Sequence, residues 1–225
     1  RQRQMCIRDR ATTWNLRRPS ENPVLARSLY QQVIAEKQDT LSTWSELALV
    51  RMDHLVPVGE QPNYEKVRQG YQQIIDRHPD HMAAQEAFIF QQSTLLATLN
   101  EADATGCLVS LNAFLEKYPS SPYRSAVYSL IARAHSTLKQ FEQGLEAEIL
   151  SLETRETDPG NPNQDLSLRY WLIATKAEFE AGNLTTARYY YQKLLTDYPE
   201  DLRVYLAKQA LIRLDRIEQE VRAGK

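Results

Sequence analysis

Cysteine, glycine and long apolar runs are all scarce in this chain, and each scarcity excludes something. Of 225 residues only seven are glycine, too few for a fold of glycine-rich turns such as most β and α/β architectures need. Those glycines never fall in G-x-G-x-x-G or G-x-x-x-x-G-K spacing, so no loop that cradles phosphate is visible. Neither G-x-S-x-G nor H-E-x-x-H occurs. The sequence therefore offers no catalytic residue, no cofactor site and no metal motif. No run of eighteen apolar residues exists, which leaves no segment able to span a bilayer as a helix. Basic blocks are missing too, and the formal net charge is −2, which argues against nucleic acid or an anionic membrane as the main partner.

The first ten residues, RQRQMCIRDR, resemble the in-frame translation of a transposase adapter used to prepare sequencing libraries. They are expected to be foreign to the fold, as processing and cloning scars are. This reading implies that the native N-terminus is lost and that the source is a metagenomic, bacterial assembly. Setting the segment aside removes four of the 27 basic and one of the 29 acidic residues, leaving 23 and 28 and a formal charge of −5. It also removes Cys6, so Cys107 stands alone and cannot form an internal disulfide. The remaining length is ample for a core that buries roughly 70% of the unfolded surface.

What is present is a rhythm. Prolines stand at Pro79, Pro119, Pro159 and Pro199, at intervals of forty residues. Three close related strings: Ile74-Ile75-Asp76-Arg77-His78-Pro79, Phe114-Leu115-Glu116-Lys117-Tyr118-Pro119 and Leu194-Leu195-Thr196-Asp197-Tyr198-Pro199. Upstream of them the same helical face recurs. Arg27, Arg68 and Arg188 correspond, as do Tyr30, Tyr71 and Tyr191, each followed by glutamine at 31, 72 and 192. Gln38 takes the proline slot of the first copy. Apolar residues three and four apart mark one helix face, and proline ends each helix for want of an N–H. Asp80, Ser121 before Pro122, and Asn163 are the expected N-caps of the helices that follow. Those helices are expected over 82–99 (Ala84, Phe88, Leu95, Leu99 inward), 123–138 (Val127, Leu130, Ile131, Ala134, Leu138), 166–179, and 202–221. In the last, Leu206, Ala210, Leu214, Ile217 and Val221 form the inward stripe and the other faces look charged.

Residues 168–201 resemble a tetratricopeptide repeat, an antiparallel helix pair of about 34 residues. Trp171 and Ala174 hold the bulky and small positions of the first helix. Gly182-Asn183 is the turn, Ala187 the small helix contact, Tyr191 the aromatic and Pro199 the closing proline. Thr175, Phe179 and Leu194 depart from the pattern. Residues 125–156 fit more loosely through Tyr128, Ile131, Ala132, Phe141 and Gly144, and the repeats ending at Pro119 and Pro79 are lengthened. The string from Tyr118 to Tyr123 is also similar to tetratricopeptide proteins of bacterial cell envelopes, including the lipoprotein of outer-membrane barrel assembly and the periplasmic partner of the Tol–Pal system. The resemblance implies an all-α fold: a right-handed α-solenoid of antiparallel helix pairs. Residues 11–200 would form a repeat domain truncated at its N-terminus, with a capping helix and tail over 201–225.

The resemblance further implies a non-catalytic scaffold that binds a protein or peptide in a concave groove, in the bacterial envelope. The groove would be lined by Ser129, Arg133, Ser136 and Thr137 in one repeat and by Arg169, Leu172, Lys176 and Phe179 in the next. Arg133, Arg169 and Lys176 would suit an acidic segment or a C-terminal carboxylate. The alternative is the recognition arm of a larger enzyme or regulator whose active domain lies upstream. Other features read as structure. His78-Pro79-Asp80-His81 has the residue types of a metal site, but His78 occupies the slot of Tyr118 and Tyr198, which favours packing. His135 and Cys107 read as packed residues, and His54 has no partner near it in sequence. Of Tyr189, Tyr190 and Tyr191, only Tyr191 is in register with the core. Asn183-Leu184-Thr185 is a formal glycosylation sequon, read as a turn in which Asn183 takes a positive φ.

Overall fold

The computed structural model describes residues 22–36, 39–57, 59–156 and 164–224. The expectations placed on residues 1–10, Gln38, Pro159 and Asn163 lie outside them. Among the described residues there are ten helices and no strand. They divide into two compact units, with the boundary between Thr98 and Leu99. The first unit holds α1 (Pro23–Ala35), α2 (Asp39–His54), α3 (Tyr64–Arg77) and α4 (Met82–Leu96). The second holds α5 (Glu101–Lys117), α6 (Arg124–Thr137), α7 (Phe141–Glu156), α8 (Ser167–Phe179), α9 (Leu184–Asp197) and α10 (Val204–Arg222). Consecutive helices pack on one another inside each unit, α1 on α2 and α3 on α4 in the first, α6 on α7 and α8 on α9 in the second. The fold is the all-α, tetratricopeptide-like one expected.

The three proline strings adopt one conformation. His78, Tyr118 and Tyr198 each close a helix by donating a backbone N–H to the carbonyl four residues back, on Ile74, Phe114 and Leu194. Their own carbonyls then accept from His81, Ser121 and Asp201. Proline cannot continue the helix, so this short turn must be completed before the next one starts. The turn displaces two expected caps. Helix α4 starts at Met82 with His81 rather than Asp80 as its cap, the ring Nδ1 accepting from Ala83 N–H at 3.1 Å. Helix α6 starts at Arg124, and Ser121 Oγ instead accepts from Tyr123 N–H at 3.2 Å within the turn. Asparagine supplies the remaining side-chain caps of this kind: Asn22, Asn63, Asn100 and Asn183 each accept from the first turn of α1, α3, α5 and α9, an arrangement typically worth ~1 kcal/mol per helix.

Tyr30, Tyr71 and Tyr191, equivalent in sequence, are all buried. In the first unit Tyr71 lies among Leu47, Val67, Ile74, Ala83 and Ala87. In the second, Tyr191 belongs to a cluster with Leu145, Leu152, Tyr170, Ile173, Leu194 and Leu214. Burying each such large side chain contributes roughly 1.5–3 kcal/mol. The repeated arginine is equally consistent where it forms ion pairs. Arg27 of α1 reaches Asp53 of α2 at 2.6 Å, and Arg188 of α9 reaches Asp215 and Glu218 of α10 at 2.7 and 3.0 Å.

Four sequence expectations are corrected. Tyr190 is buried beside Tyr170, with ring centroids 6.0 Å apart, so two of the three consecutive tyrosines enter the core. Leu99 is exposed with a φ of 56°, because α4 ends at Leu96 and the chain turns there. In α10 the inward residues are Ala207, Ala210 and Leu214, whereas Leu206 and Val221 are exposed. The left-handed turn residue between α8 and α9 is Gly182 at φ 66°, and Asn183 has an ordinary φ of −88°. Only glycine takes that turn without a Cβ penalty.

Candidate functional site

The residues expected to line a groove lie on α6 and α8, the first helices of their pairs, and the structure separates them by what each side chain does. Ser129 is committed to its own pair. Its Oγ lies 2.8 Å from Ser151 Oγ on α7, and Ser151 Oγ also donates to Ser125 O at 2.8 Å, while Ser125 Oγ donates to Ser151 O at 2.9 Å. Gly144 permits this close approach: a Cβ there would stand 3.3 Å from Ala132 O and 3.6 Å from Ser136 Oγ. Ser136 is therefore half-buried against α7. Thr137 Oγ1 donates back to Arg133 O at 3.1 Å, as a helical threonine commonly does.

The three cations also differ. Arg169 and Lys176 both face Glu148 of α7, each 3.5 Å from its Oε1. Glu148 is buried, so its carboxylate needs these partners; an unpaired buried charge is costly. Arg133 is exposed and forms no ion pair among the described residues. The apolar candidates remain open to solvent. Leu172 is 37% and Phe179 68% exposed, and Leu168, one turn before Leu172, is 51% exposed. The Arg213 guanidinium of α10 stands 5.3 Å from the Phe179 ring centre. Its other contacts hold Glu178, at 2.6 and 2.8 Å, and Glu178 in turn accepts from Tyr191 Oη at 2.8 Å.

Glu148 and Glu178 are what the sequence reading missed. Both sit on helix faces where a glutamate would ordinarily be solvated. The readable signal was weak: Glu148 is one of five glutamates on α7, and the basic pair Arg169 and Lys176 stands two turns apart on α8.

The residue types that invited chemistry are all in structural use. His54 Nδ1 lies 2.9 Å from Tyr71 Oη in a nest of Tyr64, Tyr71 and Phe90 rings, and burial, with Arg51 nearby, depresses its pKa. His78 Nε2 lies 3.6 Å from Glu46, and His81 caps α4 with its ring edge-on to Trp44. His135 Nδ1 contacts Gln140 Oε1 at 2.7 Å across the α6–α7 turn. Cys107 is buried, and burial, with Asp103 adding to it, pushes its thiol up to about 11. Among the described residues no group of three or more His, Cys, Asp or Glu gathers to hold a metal ion, and no helix is long and apolar enough to cross a membrane.

Comparisons with known proteins agree with this architecture. Residues 170–201 match the family described as Tetratricopeptide repeat, the same stretch in which Trp171, Ala174, Ala187, Tyr191 and Pro199 carry the pattern. A solved structure described as MamA 41-end from Desulfovibrio magneticus RS-1 superposes with a TM-score of 0.55 at 17% identity, over 88% of this chain and 97% of that one. At that identity the likeness is one of fold. No curated protein matches the chain significantly. The chain thus matches one tetratricopeptide repeat, over residues 170–201, and its fold is tetratricopeptide-like.

Proposed function

We propose that the chain is a non-catalytic scaffold that binds a protein or peptide through the first-helix face of its second unit. One observation carries the reading: Leu168, Leu172 and Phe179 form an exposed row along α8, in a repeat whose fold is a protein-interaction fold. Exposed apolar side chains aligned on one helix face are costly to leave in water and mark contact surfaces. Repeat proteins generally bind along the extended concave surfaces that their stacked units create.

The electrostatics sharpen the kind of ligand. An acidic segment would meet two cations already neutralised by Glu148, at 3.5 Å each, and Arg133, which forms no ion pair among the described residues. The favoured partner is thus a segment that inserts apolar side chains along α8 and offers a carboxylate to Arg133, rather than a uniformly acidic tail.

Affinity capture from a native bacterial lysate followed by mass spectrometry tests this, with wild type compared against Leu172→Ser/Phe179→Ser. Both positions are exposed, so the double variant should keep its helical circular dichroism and melting temperature. Proteins retained by wild type should be lost from the variant. An identical set of captured proteins would refute the assignment of this face.

A further inference from the structure

Helix α10 stands in the position of a first helix. Its entry copies that of α8: Asp165 Oδ1 accepts from Ser167 N–H at 2.9 Å, and Asp201 Oδ1 accepts from Arg203 N–H at 2.8 Å. Two contacts then set the helices side by side in parallel register, Arg203 to Ser167 at 3.1 Å near the start and Arg213 to Glu178 at 2.6 Å further along. The inward seam of α10, formed by Ala207, Ala210 and Leu214, packs into the core of the second unit. Helices α6 and α8 each have a second helix, α7 or α9, packed along them.

The outward face of α10 is partly apolar. Tyr205 is 68% and Ile212 54% exposed on it, and Leu202, in the turn before the helix, is 95% exposed. Within α10, Tyr205, Gln209, Ile212 and Arg216 follow one another at steps of four, three and four residues, with Leu202 just before the helix. That spacing is the seam of helix-on-helix packing, in which each side chain enters a hole between four residues of a facing helix. A polar residue in such a seam, here Gln209, sets register at a cost in stability.

The charges beside the seam say what would face it. Between Leu202 and Arg216 the lone acid, Asp215, is taken by Arg188 at 2.7 Å, and Arg213 is taken by Glu178. Asp201, just before the seam, is taken by Arg203 at 2.6 Å. Lys208 and Arg216 form no ion pair among the described residues, and both are exposed. The unspent charge along the seam is therefore positive. A second copy of α10 would bring the same cations against each other, whereas a helix with acidic flanks would neutralise them.

We propose that the outward face of α10 is a docking surface for an amphipathic α-helix of another protein, its apolar ridge seated on Leu202, Tyr205 and Ile212 and its acidic flank on Lys208 and Arg216. This surface is opposite the inward seam of α10 and does not depend on the α8 row.

The test uses the full chain and two labelled peptides of fifteen residues, read by fluorescence anisotropy. Both have leucines at alternating three- and four-residue spacing; one carries glutamate on its flanks, the other lysine in the same places. The glutamate peptide should bind at least tenfold more tightly than the lysine peptide. Lys208→Glu/Arg216→Glu should reverse that preference, and Tyr205→Ser/Ile212→Ser should abolish binding. Leu172→Ser/Phe179→Ser should leave binding unchanged, which separates this surface from the α8 row. Circular dichroism on each variant checks that the fold is intact, as exposed positions lead one to expect. Three results would overturn the proposal: no binding of the glutamate peptide, equal binding of the two peptides, or a concentration-dependent dimer in sedimentation velocity that Ile212→Ser dissolves, which would make a second copy the occupant.

Discussion

Tyr191 Oη donates a 2.8 Å hydrogen bond to Glu178 Oε2, joining the buried aromatic of α9 to an acid of α8 that Arg213 of α10 also grips at 2.6 and 2.8 Å. Three consecutive helices are locked by one carboxylate. Burial, helped by the bond to Glu178, keeps the phenol protonated far into the alkaline range. Tyr191→Phe preserves the ring packing and removes only the donor. A bond to a charged acceptor contributes about 1.5–3 kcal/mol, and Glu178 keeps Arg213, so the loss should fall near the lower end. Urea unfolding of the two proteins measures it; an unchanged midpoint would show that the contact adds nothing.

Stability of the first unit should fall in mild acid. His54 and His81 both have pKa values held below the ordinary 6.5, in each case first by burial and then by a neighbouring positive or ionisable group, Arg51 for one and His78 for the other. His81 must stay neutral at Nδ1 to accept from Ala83 N–H. The unfolded chain then binds more protons than the folded one just below pH 6.5, and stability rises with pH across that window. It is complete above 6.5 and is lost as the pH drops below. Unfolding curves between pH 7.5 and 5 should show this slope. His81→Asn keeps a capping acceptor but cannot titrate, and should flatten the slope; an unaltered slope would remove His81 from the account.

Cys107 should be inert in the folded protein. The thiolate is the reactive form, and burial holds this thiol at about 11. In a Cys6→Ser background, a disulfide-exchange reagent at pH 8 should leave Cys107 unmodified until denaturant is added. Prompt labelling of the native protein would contradict the burial.

How much of this was legible in the sequence follows from which interactions are local. The proline strings were, because proline acts on its own backbone, and all three described strings turn the chain alike. The equivalence of Tyr30, Tyr71 and Tyr191 was legible for the same reason, since helical periodicity is a local property. The caps of α4 and α6 were missed by one and two residues because the turn after each proline uses those residues before the helix begins. Tyr190 was missed because α9 is flanked by both α8 and α10, so its buried arc is wider than a single-sided pattern suggests. Glu148 was illegible, since nothing local distinguishes it from a solvated glutamate until α8 brings Arg169 and Lys176 across. The outward seam of α10 was in plain view as tyrosine and isoleucine, but the faces outside the inward stripe were read as charged.

Arg133 and Lys176 therefore should not behave alike on charge reversal. Arg133 is exposed with no ion pair among the described residues, and Arg133→Glu should change stability by no more than about 0.5 kcal/mol, as surface substitutions do. Lys176 stands 3.5 Å from Glu148 Oε1, with a side chain 29% exposed against 8% for the glutamate. Lys176→Glu removes that partner and sets a second carboxylate beside a buried one. Breaking a fully buried pair costs about 3–5 kcal/mol, but solvent still reaches Lys176 and Arg169 remains, so about 1–3 kcal/mol is the expected loss. Adding Glu148→Gln to Lys176→Glu should recover part of it, because the repulsion disappears, and this coupling is what a double-mutant cycle reads. If both reversals shift the melting temperature equally, or if Glu148→Gln brings no recovery, Glu148 does not organise this face.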